Sequence, residues 1–309
     1  MTSLRSYLRR RRARSKAPFG TIERISAVYS PELHNERDLL VSLPGEYGAR
    51  KRRYPVIYMH DGQNLFDPAT SFSGCWNVDM AMAEASLEGL DAIVVGIPNM
   101  GHERLAEYSP FDHPELGPGR GDLYLDFLIH TVKPLIDARY LTIPDRQHTG
   151  IVGSSMGGLI SLYAFFRHAR VFGFAGVMSP SLWLTESATF AFIEQADFSP
   201  GKLYLDVGAM EGERHVASAR RLRDVLEAKG YRLERDLMWV EEEKGSHHEA
   251  AWARRFQHAL PFLVPGGAGL ARGELLASLM ARFTSSPANV TESDELRGSR
   301  LRARHSTVE

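Results

Sequence analysis

The chain has 309 residues, of which 43% are hydrophobic and 24% charged, and its formal net charge is −1. These are values of an ordinary globular protein, and they exclude a collagen-like or a wholly disordered chain. The mean hydropathy is −0.25, and no apolar run reaches the about 18 residues that a membrane-spanning helix needs.

The first 19 residues are predicted to be a basic, disordered arm. Residues 1–16 contain seven Arg and Lys and no acid, so the rest of the chain is acidic, and we expect that it does not bind nucleic acid. The paired arginines are not followed by the apolar segment of an export signal. Cys75 is the only cysteine, which precludes an intramolecular disulfide and suits a reducing compartment. We therefore expect a cytoplasmic protein.

Residues 21–43 are predicted to form two antiparallel strands joined by a short turn. Six short, nearly continuous apolar runs follow, as expected for strands that are buried on both faces of a parallel sheet. They lie at 55–60, 91–97, 148–153, 172–179, 202–208 and 235–240. Helical patterns alternate with them, at 77–88, 121–138, 156–169, 186–196, 212–229 and 248–262.

This alternation predicts the fold class. Alternating strands and helices build an α/β domain with a mostly parallel, twisted sheet, here of about eight strands, and with helices on both faces. We assign this single catalytic domain to residues 20–265. Residues 266–309 are predicted to contain one amphipathic terminal helix, at 274–283, followed by a disordered tail.

A strand–turn–helix segment carries the strongest chemical signal. Gly153, Ser155 and Gly157 match the G-x-S-x-G motif directly after a buried strand and directly before an apolar-periodic helix, which is the context of a nucleophile elbow. Small residues are needed there because the turn is tight and strained. Ser154 does not fit the motif, since neither residue two positions away from it is glycine. Ser155 is therefore the predicted nucleophile.

A nucleophilic serine needs a general base and an acid that orients the base, and on this fold they follow in the order Ser, Asp/Glu, His. Glu211 lies just beyond the end of the strand at 202–208 and is the preferred acid, whereas Asp206 lies within that strand and is the alternative. His247 and His248 both lie in the loop before the last helix of the domain, and either can be the base. Because consecutive residues rarely converge on one ion, we predict no metal site there, and no cofactor.

Two backbone N–H groups are predicted to form the oxyanion hole. One belongs to Met156, the residue after the nucleophile, and the other to Gly62 or Gln63 in the loop after the third strand. Gly62 allows close approach of the backbone because it has no side chain. His60 and Asp61, just before it, are interpreted as residues that organise this loop.

Five blocks of the sequence carry a family resemblance. They are YMHDGQNLFD, GIPNMGHERLAEYSP, GIVGSSMGGLISLYAF, LYLDVGAMEGE and GSHHEAAWARRF. In this order they resemble the putative esterase family of α/β hydrolases, with its esterase D-like enzymes, enterochelin and feruloyl esterases and antigen 85 mycolyltransferases. The resemblance covers about residues 20–263 and implies Ser155 as nucleophile, Glu211 as acid and His247 as base. Most relatives have Asn or Asp where this chain has His248, which therefore stays the alternative base.

The resemblance also indicates residues that border the site. Arg104, Glu107 and Tyr108 match a family block that organises the loop over the site, and Trp76 and Trp183 fall in loops at its expected edge. The candidate substrate-binding residues are Trp76, Arg104, Tyr108 and Trp183. Core packing is the alternative for the two tryptophans.

Together these features predict a serine esterase that cleaves a small-molecule carboxylic ester through an acyl-enzyme. Two alternatives stay open. One is acyl transfer to an alcohol by the same three residues, and the other is a non-catalytic binding module on an esterase scaffold. The identity of the ester and the oligomeric state do not follow from the sequence.

Overall fold

The computed structural model describes residues 20–49, 52–114 and 117–266. An eight-stranded sheet lies at the centre of this part of the chain. The predicted basic arm (1–19), the terminal helix at 274–283 and the tail after it lie outside the described residues. Within those residues, no helix combines the length and the apolar character needed to cross a membrane.

The strands of the sheet are β1 (Ile22–Ser30), β2 (Asn35–Ser42), β3 (Val56–His60), β4 (Ile93–Ile97), β5 (Thr149–Ser154), β6 (Phe174–Met178), β7 (Lys202–Gly208) and β8 (Leu237–Glu242). They lie side by side in the order β1-β2-β4-β3-β5-β6-β7-β8. β1 pairs antiparallel with β2 and β2 with β4, and all other neighbours are parallel. The predicted fold class is therefore confirmed.

Burial follows position in the sheet. Every residue of β3, β4, β5 and β6 is buried, because helices cover both faces of these central strands. The edge strand β1 buries only Ile25, Val28 and Ser30. It is also bulged, since Ala27 has a φ of 54° and donates its N–H to Asp38 Oδ1. The bulge interrupts an edge with which another chain could otherwise pair.

Seven helices lie between or after the strands within the described residues. They are α1 (Val78–Leu87), α2 (Arg104–Glu107), α3 (121–139), α4 (Met156–Arg167), α5 (Glu186–Gln195), α6 (Glu213–Ala228) and α7 (Glu249–Leu263). The middle of α3, Phe127–Val132, is π-helical. α1 packs on α7, and α5 packs on both α4 and α6. Six of the seven match predicted helices, and only the single-turn α2 is not predicted.

The carboxyl ends of the parallel strands meet at one edge of the sheet, where ligands bind in folds of this class. His60 closes β3, Ser155 follows β5 and Ser179 follows β6. Glu211 lies beyond the end of β7, and His247 lies in the loop after β8. The topology thus brings residues that are far apart in the sequence to the same edge.

A buried ion pair fastens α2 to β2. Arg37 donates from Nη1 and Nη2 to the two carboxylate oxygens of Glu107, at 2.8 and 2.7 Å, and the two side chains are 1% and 0% exposed. The guanidinium carbon also lies 5.2 Å from the centre of the Phe127 ring. Since water reaches neither charge, each depends on the other for its stabilisation.

We expect Arg37→Met to lower the free energy of unfolding by about 3–5 kcal/mol, because it leaves the Glu107 carboxylate buried without a counter-charge. Arg37→Met/Glu107→Leu removes both charges and should recover at least half of that loss. Chemical denaturation followed by circular dichroism measures both variants. A double variant that is less stable than Arg37→Met alone would contradict this account of the pair.

Candidate active site

The turn after β5 holds Ser155 in a strained backbone conformation. Its φ is 58° and its ψ is −120°, a combination that residues other than glycine rarely adopt. Ser155 N–H donates to the Met178 carbonyl at 2.9 Å, and its own carbonyl accepts from Ser181 N–H at 3.0 Å. The end of β6 and the loop after it therefore hold the turn in place. α4 begins at the next residue, so its positively polarised N-terminus lies at the serine.

Close backbone contacts require the glycines of the elbow. A Cβ added to Gly153 would lie 2.7 Å from the Gly157 carbonyl carbon, and one added to Gly158 would lie 2.7 Å from the Met178 carbonyl oxygen. Cβ atoms do not approach backbone atoms this closely. A side chain at either position would therefore push α4 away from the strands beside it.

Ser155, His247 and Glu211 stand in one hydrogen-bonded line. Ser155 Oγ lies 2.9 Å from His247 Nε2, and His247 Nδ1 lies 2.9 Å from Glu211 Oε2. In such a line the imidazole can take the hydroxyl proton at Nε2 while the carboxylate keeps a proton on Nδ1. The Trp252 ring meets the imidazole edge-on, with 4.9 Å between the ring centres, and so limits its rotation.

The Glu211 carboxylate is fully buried, and its second oxygen is hydrogen-bonded as well. Oε1 accepts from Ser179 Oγ at 2.6 Å, from the Gly208 N–H at 2.8 Å and from Arg255 Nη2 at 3.3 Å. Burial by itself raises the pKa of Glu211, but the hydrogen bonds with His247 and Ser179 and the nearby positive charges lower it to about 2. The carboxylate is therefore ionised at any pH near neutrality.

The two alternative residues for this line lie elsewhere. Asp206 is fully buried in β7, and its Oδ1 accepts the Ser179 N–H at 2.9 Å. His248 caps the N-terminus of α7, where its Nδ1 accepts the Ala250 N–H at 3.3 Å, and its side chain is half exposed. Neither side chain takes part in the hydrogen-bonded line that ends at Ser155.

The loop after β3 runs along the N-terminus of α4. A Cβ on Gly157 would lie 3.2 Å from His60 Cβ and 3.7 Å from Asp61 Oδ2. On its other side the loop packs on β4, since a Cβ on Gly62 would lie only 2.6 Å from the Gly96 carbonyl carbon. Glycine at position 62 therefore lets the loop lie between α4 and β4.

The residues predicted to supply the oxyanion donors border this junction. Met156 is the first residue of α4, and Gln63 lies in the 3₁₀ turn Gly62–Asn64. Gln63 Oε1 accepts the Asn99 N–H at 3.1 Å, which ties the turn to the loop after β4. Asp61, the residue before this turn, lies against Gly157 in the first turn of α4.

Arg104 holds the same loop through a two-point ion pair. Asp61 has a left-handed φ of 54°, and Arg104 Nε and Nη2 donate to its two oxygens at 2.7 and 2.8 Å. The Tyr108 hydroxyl accepts the Asp61 N–H at 3.1 Å, and His60 Nδ1 lies 2.8 Å from the Tyr124 hydroxyl. Residues of α2 and α3 thus set the position of the loop.

Two of the four candidate substrate-binding residues have surface that a ligand can reach. Trp183 is 47% exposed, and the Arg104 side chain is 25% exposed. Tyr108 is fully buried, and Trp76 is buried against Trp252. Against the expectation of substrate contact, Tyr108 packs inside the protein, and Trp76, which is 5% exposed, follows the core-packing alternative.

Among the residues that the structure describes, one group of side chains has the spacing of metal ligands. Ligand atoms of Glu211, His215 and His247 lie within 4.8 Å of one another. His215 Nε2 lies 3.1 Å from the Pro180 carbonyl, and the other two residues are hydrogen-bonded to each other. Burial lowers the pKa of His215, which makes it an uncharged neighbour. These hydrogen bonds account for the spacing.

Sequence reasoning missed three residues of the site. Ser179 and Ser181 follow β6, and Arg255 lies on α7. Ser181 Oγ is 3.0 Å from Ser155 Oγ, and Ser179 Oγ accepts from Arg255 Nη2 at 3.0 Å. The two serines could have been predicted, because they follow a parallel strand at the edge where site residues are expected. No local pattern distinguishes Arg255 from a surface arginine.

Comparison with known proteins gives one family and several relatives. The sequence profile of the Putative esterase family matches residues 30–263, which confirms the resemblance carried by the five blocks. "Uncharacterized protein YbbA" of Bacillus subtilis is 27% identical over 241 residues, which are 74% of this chain and 92% of that protein.

Two further matches are more partial or more distant. The siderophore triacetylfusarinine C esterase of Aspergillus fumigatus is 31% identical over 135 residues, which are 42% of this chain and 44% of that protein. An IroE-like serine hydrolase from Shewanella oneidensis superposes with a TM-score of 0.64 at 18% identity, over 86% of this chain and 89% of that one. This last likeness is one of fold.

Acid should destabilise the protein through His60. Burial lowers the pKa of His60 to about 3, whereas histidine in an unfolded chain has a pKa of about 6.5. The unfolded state therefore binds one more proton at lower pH, so this group should reduce the free energy of unfolding by about 1.4 kcal/mol per pH unit below pH 6. Denaturant unfolding of wild type and His60→Gln over this range measures the effect. Equal slopes in the two proteins would assign the acid sensitivity to other groups.

Proposed function

The chain belongs to the Putative esterase family and is a carboxylic-ester hydrolase, and we propose that it cleaves its ester through an acyl-enzyme on Ser155. His247 is the general base and Glu211 the acid that orients it. The single observation that carries this proposal is the line of two 2.9 Å contacts that joins the three side chains. The intact line of the three side chains argues against a non-catalytic binding module.

In the first step Ser155 Oγ attacks the ester carbonyl carbon, and its proton passes to His247 Nε2. The bond between the acyl carbon and the alcohol oxygen then breaks as His247 gives that proton to the leaving oxygen. Glu211 keeps the imidazole in the tautomer that accepts at Nε2 and stabilises the imidazolium that forms between the two transfers. Water repeats the sequence on the acyl-enzyme and releases the acid.

The N–H groups of Met156 and of Gly62 or Gln63 are proposed to hold the negative charge that develops on the carbonyl oxygen. The position of Met156 at the start of α4 supports this, because the N-terminus of a helix favours negative charge. The ion pair of Arg104 with Asp61 supports it as well, since it keeps the loop after β3 next to that helix. Each donor in such a site contributes about 3 kcal/mol to the transition state.

Trp183 and Arg104 are proposed to contact the substrate, because both have exposed surface in segments that follow strands β6 and β4 at the carboxyl edge. The relative from Aspergillus fumigatus is named for the siderophore triacetylfusarinine C, so this compound belongs in the substrate screen beside simple aryl esters. Adding an acceptor alcohol to the same assay and analysing the products separates hydrolysis from acyl transfer.

We also propose that residues 20–265 form the catalytic body and that the protein acts in the cytoplasm on a small-molecule ester. The described strands and helices from β1 to α7 lie within that range. The single cysteine, Cys75, supports a reducing compartment.

A fluorophosphonate probe tests the nucleophile. We expect one covalent adduct per wild-type chain by intact-mass spectrometry and none on Ser155→Ala, because only a serine activated by a base reacts. Ser154→Ala is the matched control: it removes the neighbouring serine and should keep the adduct. An adduct on Ser155→Ala would move the nucleophile to another residue.

Replacing the acid tests the rest of the line. Glu211→Gln should lower kcat by about 10⁴-fold with little change in KM, since an amide neither keeps the tautomer nor stabilises the imidazolium. Steady-state hydrolysis of an aryl ester measures this. A loss of less than about tenfold would contradict the role given to Glu211.

A further inference from the structure

A second carboxylate lies behind Glu211, and the two share one arginine. Arg255 Nη2 lies 3.3 Å from Glu211 Oε1, and Arg255 Nε lies 3.5 Å from Asp206 Oδ2. All three side chains are 0% exposed. With both carboxylates ionised, this buried cluster holds two negative charges and one positive charge.

Ser179 joins the cluster into one unit. Its hydroxyl donates to Glu211 Oε1 at 2.6 Å and accepts from Arg255 Nη2 and Trp252 Nε1, each at 3.0 Å. Its N–H donates to Asp206 Oδ1 at 2.9 Å, and its φ is 39°, a left-handed value that these bonds hold in place. The two carboxylates therefore have set positions relative to the arginine.

The other titratable groups around Arg255 leave the net charge of the cluster negative. Glu242 Oε2 lies 3.7 Å from Arg255 Nε, but Glu242 also pairs with Arg254 at 2.9 Å. Burial lowers the pKa of His215 and raises that of Tyr204 well above its ordinary value, so both are uncharged near neutral pH. The excess negative charge of the cluster remains.

His247 becomes an imidazolium when it takes the proton of Ser155. An excess negative charge in the buried cluster favours that cation, whereas a cluster without net charge does not. We infer that Asp206 is a positioning residue that neutralises Arg255, so that the charge of Glu211 is available to the imidazole. This inference rests on the proposed triad.

The environment of Asp206 makes its charge sensitive to pH. Burial raises the pKa of Asp206 to about 6, and the charge of Arg255 opposes that rise. Asp206 is therefore ionised above this pH and takes up a proton below it. On acidification the arginine loses one of its counter-charges, and the cluster then favours the imidazolium less.

The test is the pH dependence of kcat/KM for ester hydrolysis, whose acid limb reports protonation of the general base in the free enzyme. Asp206→Asn keeps the shape and the acceptor for Ser179 N–H but removes the charge. The acid limb should move to lower pH by about one unit, and kcat should fall about tenfold.

Arg255→Met removes the opposite charge, and the limb should move to higher pH. Asp206→Asn/Arg255→Met removes both charges and should return the limb close to its wild-type position.

Two further variants separate charge from structure. Arg255→Lys keeps the positive charge, so its acid limb should stay at the wild-type pH even where kcat is lower. Arg232→Met removes a surface arginine ahead of β8, whose Nε donates to Asp236 at 2.7 Å, away from the carboxyl edge of the sheet, and should not move the limb. Thermal unfolding establishes that each variant is folded. If Arg255→Met does not fold, the acid limbs of Asp206→Asn and Arg255→Lys are compared with that of the wild type.

An acid limb at the wild-type pH in folded Asp206→Asn would overturn the inference and leave Asp206 a structural residue. Shifts of the same direction in Asp206→Asn and Arg255→Met would overturn it too, because opposite charges must act in opposite directions. Failure of the proposed function has a different signature, since Ser155→Ala would then still hydrolyse the ester.

Discussion

A carboxylate with no exposed surface, that of Glu211, is the charge on which the arrangement of the site depends. An unpartnered charge in such a place would cost several kcal/mol. The fold offsets this with donors from four segments: the turn after β6, the end of β7, the loop after β8 and helix α7. The carboxylate is thus ionised and oriented only when the sheet and α7 have come together, so the site is a product of the whole domain.

The features that could be predicted from the sequence are those with local signals. Strands buried on both faces are short apolar runs, and amphipathic helices repeat their apolar residues about every 3.6 positions. The alternation of the two patterns therefore predicts the sheet and the helices that cover it. The elbow is contiguous, from Gly153 to Gly157, and its two glycines lie in close contact with His60 at the end of β3, and Gly153 also with the Gly157 backbone. Glu211 could be found because it stands just past the end of a strand.

The remaining residues depend on packing between distant segments. An arginine on an amphipathic helix is ordinarily at the surface, and its spacing does not separate Arg255, which is buried, from Arg254, which is 54% exposed. Likewise, the sequence does not show which of the adjacent residues His247 and His248 caps α7. Because His248 caps that helix, His247 is the one directed to the nucleophile. Trp76 lies in a loop, yet it packs on Trp252 of α7.

Helix α7 and the residue directly before its N-cap bring together three parts of this chemistry. His247 stands directly before its N-cap, Trp252 rests edge-on against the imidazole, and Arg255 lies one turn further on. The nucleophile belongs to a different body, the β5–α4 unit. Any displacement of α7 relative to that unit would therefore move His247 and Arg255 together with respect to Ser155. Trp252 packs on both His247 and Trp76, and so it links the general base to the loop before α1.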